Sequence, residues 1–211
     1  TTAVYPNTAE GDVEFILTDS GTVMVVVENA AQLAKVRSSE AVSRQIHTII
    51  VIDPEGVELG GDVLSYQQLR ELGGRHLDAN PKAVDEAIAT TSKDTLSTLI
   101  YTSGTTGQPK GVRLLHASWI YEGAGTLHWR IIDHTDLQYL WLPLSHVFGK
   151  TLIACQIAYG FGSAVDGRID RIVEGLGEVK PTFMCGAPRI FEKVRAAVMT
   201  GNTGFKARIA R

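Results

Sequence analysis

Runs rich in valine, isoleucine and leucine alternate along the chain with segments whose apolar residues recur at helical spacing. That alternation predicts an α/β fold with mainly parallel sheets flanked by helices. TTAVYP reads as a strand, and TAEGDVEFILTDSG as a helix with Thr8 at its N-cap and Gly21 as its stop. The strand TVMVVVEN, a helix from about Ala30 to Ser43 and the strand HTIIVID repeat the pattern. Residues 54–64 read as a loop, with turn signals at Pro54, Gly56 and the Gly60-Gly61 pair, ahead of a helix in SYQQLRELGGRH whose Leu69 and Leu72 suit one face. The polar stretch DANPKAVDEAIATTSKD predicts a subdomain seam or surface crossing near residues 78–94. The expected organisation is therefore one α/β portion over 1–85 and a second over 86–211.

The second half opens on the apolar strand TLSTLIYTS, and GVRLLH reads as a further strand, so the intervening residues form the end of a hairpin. A helix through SWIYEGAGTLHWR, the strand LQYLWLPLSH and a helix through VFGKTLIACQIAYG follow. The strand SAVDG, the helix IDRIVEGLGEVK, the strand TFMCG and a closing helix through RIFEKVRAAVMT complete the series. No internal repeat or low-complexity tract interrupts it. The chain begins at Thr1 inside an apparent strand and stops in GFKARIAR with no helix stop signal, which predicts a piece of a longer protein.

Composition narrows the function classes. With 44% hydrophobic and 20% charged residues over 211 positions, the chain has the make-up of an ordinary globular protein. A net charge of −3 supplies no basic field, so nucleic acid is not an expected partner. Cys155 and Cys185 show no C-x-x-C spacing and read as buried free thiols. With no apolar run of spanning length and no signal peptide, the expectation is a cytoplasmic protein without a transmembrane segment, in peripheral membrane contact at most.

The chemistry concentrates in YTSGTTGQPKG, residues 101–111. Glycines that permit positive φ, hydroxyls that donate and one lysine are the parts of a loop that wraps an anion. A Walker A loop needs lysine directly after its last glycine, but Gln108 and Pro109 separate Gly107 from Lys110; G-x-G-x-x-G fails as well, since no glycine lies between Gly104 and Gly107. What remains can aim backbone amides and the hydroxyls of Thr102, Ser103, Thr105 and Thr106 at one centre. Hydrogen bonds to a charged group are worth about 1.5–3 kcal/mol each, so three or four can hold a triphosphate. The competing reading is a glycine- and threonine-rich hairpin turn with no ligand.

The full stretch YTSGTTGQPKGV closely resembles the phosphate loop of the adenylate-forming (acyl-CoA synthetase) superfamily. WLPLSHVFG, residues 141–149, looks like that family's next motif, and PTFMCGAPRIFEKV, residues 181–194, is similar to the P-R-x-x-E-K segment of its long-chain fatty acyl branch. The opening AVYPNTAEGDVEFILTDSG also resembles the strand and helix ahead of the loop in that family. The fold implied is part of an acyl-CoA synthetase N-terminal domain, truncated. The activity implied is attack of a fatty acid carboxylate on the α-phosphate of ATP, giving acyl-adenylate and pyrophosphate, then transfer of the acyl group to coenzyme A.

By that resemblance, Thr102, Ser103, Gly104, Thr105, Thr106, Gly107 and Lys110 cradle the β- and γ-phosphates. Thr102 serves as a Mg2+-side hydroxyl, and Lys110 steadies the departing pyrophosphate. His146 matches the aromatic or histidine position beside the acyl-adenylate; read from the residues alone, it is equally a hydrogen-bonded structural group. Trp141 and Phe148 read as core. PRIFEK reads directly as a solvated helix end, and by resemblance as a label of the coenzyme A branch. LLHAS lacks the asparagine of the family's H-x-N, and no Y-G-x-T-E or T-G-D segment follows. On this reading the isolated chain is inactive alone. The alternatives are an enzyme that loads a carrier protein, such as a fatty acyl-AMP ligase or an amino acid adenylation domain, and a catalytically idle folding or interaction module whose exposed strand edges favour self-association.

Overall fold

In the computed structural model, which describes residues 1–102 and 108–201, parallel strands and covering helices account for most of the regular structure. The chain forms two compact units, Thr1–Ser118 and Trp119–Arg211.

In the first unit, α1 (Glu10–Asp19) leads to β1 (Met24–Val27), α2 (Ala30–Arg37), α3 (Glu40–Gln45), β2 (Thr48–Val51) and β3 (Val63–Ser65). The strands pair in parallel in the order β1-β2-β3. Val27, Ile49, Val51 and Val63 from the strands meet Val13 and Leu17 of α1, Val36 of α2, and Val42 and Ile46 of the α3 segment in one buried cluster. Each such side chain taken out of water stabilises the fold by about 1.5–3 kcal/mol, an upper figure. The unit continues through α4 (Tyr66–Ala79), α5 (Ala83–Ala89) and the antiparallel pair β4 (Leu96–Thr102) and β5 (Lys110–Leu115).

Local signals explain several boundaries. Gly21, at φ 64°, ends α1 as expected: its N–H bonds Thr18 O, and the Thr22 N–H bonds Leu17 O, the paired contacts of a Schellman stop. Ser65 and Gln68 form a reciprocal capping box that starts α4. Other expectations are corrected. The N-cap of α1 is Ala9, without a side-chain bond, and not Thr8. The helix expected over 30–43 is split, because Ser39 takes an extended conformation and its hydroxyl accepts from the Val42 N–H to start α3. TTAVYP contributes one bridge, Thr2 to Leu99, rather than a strand. The loop over 54–64 contains the start of β3, and the polar crossing near 78–94 contains α5.

The second unit takes in α6 (His116–Trp129) from Trp119 onward, then β6 (Leu137–Leu140), α7 (Val147–Tyr159), β7 (Gly162–Val165), a 3-10 turn at Ile169–Arg171, α8 (Ile172–Val179) and α9 (Pro188–Gly201). β6 and β7 are parallel. Tyr139 and Trp141 pack with Ile172 and Ile190 in its buried cluster. TFMCG forms only a bridge, Phe183 to Gln138.

Candidate functional site

The hairpin expected between residues 96 and 115 is present, with Thr102 directly opposite Lys110 and Tyr101 opposite Gly111. Directly opposed residues of an antiparallel pair project from the same face, with Cβ atoms about 4.5–5.5 Å apart. Thr102 and Lys110 therefore stand side by side where the two strands open into residues 103–109. Both are exposed, and neither side chain has a hydrogen-bond or ion-pair partner among the described residues. Ser103, Gly104, Thr105, Thr106 and Gly107 lie outside the described residues.

Side chains alternate along a strand, so Tyr101 points to the face opposite Thr102. Its ring lies against Gly111, where a Cβ would come within 3.0 Å of the ring. Its hydroxyl donates to Asp19 Oδ2 at 2.6 Å. Burial first, then the bond to the Asp19 carboxylate and its charge, push the Tyr101 phenol up to about 12. Tyr101 stands in the motif, but its partner Asp19 lies 82 positions away, so no spacing rule could find this contact.

In the second unit, β6 delivers the buried Tyr139, Leu140 and then Trp141 toward the turn that carries His146. Trp141 is core, as expected, and its indole N–H donates to the Cys185 carbonyl at 2.9 Å. The His146 N–H donates to Pro143 O at 3.1 Å, closing the turn. The exposed imidazole caps α7: Nδ1 accepts from the Phe148 N–H at 3.2 Å. The ring thus has a structural task of its own, satisfying one of the unpaired amides at the helix start. Phe148 departs from the core expectation, since it is 38% exposed on the first turn of α7. Pro188 begins α9 as its first residue, which suits its missing N–H and fixed φ.

Electrostatics near β7 are local. Arg168 donates from both Nε and Nη2 to the Asp166 carboxylate. That bond, with a second from the Arg168 backbone N–H, draws Asp166 down to about 2. No group of three or more His, Cys, Asp or Glu placed to hold a metal ion occurs among the described residues. Nor is any described helix long and apolar enough to cross a membrane.

The profile of the family described as "AMP-binding enzyme" matches residues 1–208. The chain is 30% identical over 202 residues to the long-chain-fatty-acid–CoA ligase ACSBG2 of Xenopus laevis, covering 91% of this chain and 27% of that protein. The chain thus spans about a quarter of that relative's length. Among solved structures, the inhibitor-bound N-terminal domain of FACL13 from Mycobacterium tuberculosis superposes with a TM-score of 0.67 at 18% identity, over 97% of this chain and 47% of that one. The o-succinylbenzoate coenzyme A synthetase MenE from Bacillus subtilis, in complex with ATP and magnesium ion, gives 0.63 at 17% identity, over 96% of this chain and 37% of that one. At such identities the structural likeness concerns the fold.

Proposed function

Because the chain belongs to the AMP-binding enzyme family, we propose that the whole protein is an ATP-dependent ligase that activates a long-chain fatty acid and passes it to coenzyme A. The observation that carries this reading is the end of the β4–β5 hairpin. A hydroxyl and an ammonium group stand directly opposed there, exposed and without partners among the described residues, on the two arms of a glycine- and threonine-rich segment. The relatives named as long-chain fatty acid–CoA ligases supply the substrate class.

In the proposed reaction a carboxylate oxygen of the fatty acid attacks the α-phosphorus of ATP. A new P–O bond to the acyl oxygen forms as the bond to the β-phosphate bridge breaks, and pyrophosphate leaves. The coenzyme A thiol then attacks the acyl carbon, giving the thioester and releasing AMP. Charge accumulates on the departing pyrophosphate, so preorganised donors supply most of the acceleration. Lys110 offers a point charge that can follow the phosphates as they separate. Thr102 offers a hydroxyl on the magnesium side, the ion arriving with the nucleotide. Residues 103–107 complete the cradle in this reading, and His146 borders the acyl-adenylate while capping α7. The free thiols Cys155 and Cys185 suit a reducing cytoplasm.

The test is pyrophosphate release by the whole protein with oleate, ATP and magnesium, using coenzyme A or an acyl carrier protein as acceptor. Thioester formation on coenzyme A is expected. Transfer only to the carrier protein would move the enzyme to the other branch, and no release with either would refute the proposal. The 211-residue chain alone is expected to give no turnover in the same assay.

A further inference from the structure

We infer that Tyr101 is a positioning residue that holds the phosphate-binding end of the hairpin from behind, through its hydrogen bond to Asp19. The inference rests on the reading that Thr102 and Lys110 contact nucleotide phosphates, and it concerns the opposite face of the same two strands. Tyr101 immediately precedes Thr102, and Gly111 immediately follows Lys110, so both phosphate-side residues are flanked by members of one back-face pair.

Three contacts make that pair a clamp. The Tyr101 ring lies so close over Gly111 that a Cβ there would sit 3.0 Å from it, so any larger residue on the second arm would make the ring shift by a few tenths of an ångström. The ring meets Phe15 edge to face, with centroids 6.4 Å apart and planes at 88°. The hydroxyl donates to Asp19 at 2.6 Å, a short bond to a charged acceptor. Asp19 is the last residue of α1, and the Schellman stop at Gly21 fixes the end of that helix, while Val13, Ile16 and Leu17 bury its inner face. The hairpin end is thereby referenced to a helix anchored in the main core. A misplacement of even about 1 Å at a reacting centre can cost on the order of 100-fold in rate, so a rigid reference behind the loop has catalytic consequence.

The test compares Tyr101→Phe, Asp19→Asn, Asp19→Ala and Lys110→Ala in the whole protein, measuring KM for ATP, KM for the fatty acid, kcat and thermal stability. Tyr101→Phe keeps the ring on Gly111 and Phe15 but removes the hydroxyl. It is expected to raise KM for ATP about three- to tenfold, with KM for the fatty acid unchanged. Asp19→Ala should match it, the pair of changes together should be no worse than either alone, and Asp19→Asn, which still accepts the hydroxyl, should stay close to the parent. An unchanged KM for ATP in Tyr101→Phe, or equal rises for both substrates tracking a loss of stability, overturns the positioning role. So does an Asp19→Asn as impaired as Asp19→Ala. If Tyr101→Phe is silent while Lys110→Ala is impaired, the positioning role falls and the phosphate reading stands; if Lys110→Ala is silent too, both fall.

Discussion

The polar side chains at the open end of the β4–β5 hairpin and at the start of α7 are used differently. At the end of β4, Thr102 and its neighbour across the hairpin, Lys110, spend no hydrogen-bonding capacity on described parts of the protein. Beyond β6, His146 spends its Nδ1 on the first turn of α7. The first arrangement leaves a charge and a hydroxyl without a partner among the described residues, whereas the second stabilises the fold at the same place where a ligand is proposed to pass. The lesson is that a polar residue at a strand end indicates a ligand most strongly when no local partner accounts for it. Substitutions at the two places should accordingly separate: loss of function with stability retained at the hairpin, and loss of both at the histidine.

The largest expected effect is at the hairpin. Lys110→Ala should lower the rate of adenylate formation about 10²–10³-fold while stability moves by less than about 0.5 kcal/mol, checked by ATP–pyrophosphate exchange beside a thermal melt. A large drop in melting temperature would erase the distinction between the two regions. Gly175→Ala supplies the opposite extreme. The Tyr139 hydroxyl sits so close to Gly175 that an added methyl would lie well inside van der Waals contact, in a buried cluster, so about 1–3 kcal/mol of stability should be lost. Denaturant unfolding measures that loss, and the KM for ATP of the protein that remains folded should be unchanged.

His146 sharpens the comparison further. His146→Ala should cost about 1 kcal/mol through the lost cap, and His146→Asn, whose side chain can also cap, should restore most of it. If activity with long-chain acids recovers together with stability in His146→Asn, capping is the whole of the role. If stability recovers and activity does not, the ring also contacts the acyl group. The smallest effect concerns Asp166. Its folded-state acidity is enhanced to about 2 by the Arg168 bonds, so the contribution is complete above the ordinary carboxylate range and disappears as pH falls toward 2. A shallower loss of stability on acidification in Asp166→Asn, followed by melts between neutral pH and pH 2, is the expected outcome.

Much of this was legible in the sequence, and the limits have physical reasons. Short-range signals carried well: Gly21 as a helix stop, Pro188 as a helix start, and the hairpin that sets Thr102 against Lys110. Features created by distant pairing did not. β3 is three residues long and owes its extended form to Ile49, Ile50 and Val51 of β2, so no run of its own announced it. TTAVYP has strand composition, but among the described residues its strand pairing is limited to the Thr2–Leu99 bridge. At the site, residue types suggested the phosphate side, yet whether His146 is cap or contact depended on where α7 begins, and Asp19 behind Tyr101 depended on tertiary structure alone.

The central claim is that Thr102 and Lys110 together hold the phosphates of a nucleotide. Calorimetric titration of the whole protein with ATP and magnesium, before and after Thr102→Ala and Lys110→Ala, addresses it most directly. The account predicts measurable binding that weakens at least tenfold in each variant, with AMP affinity far less affected. Equal ATP affinity in all three proteins would contradict it.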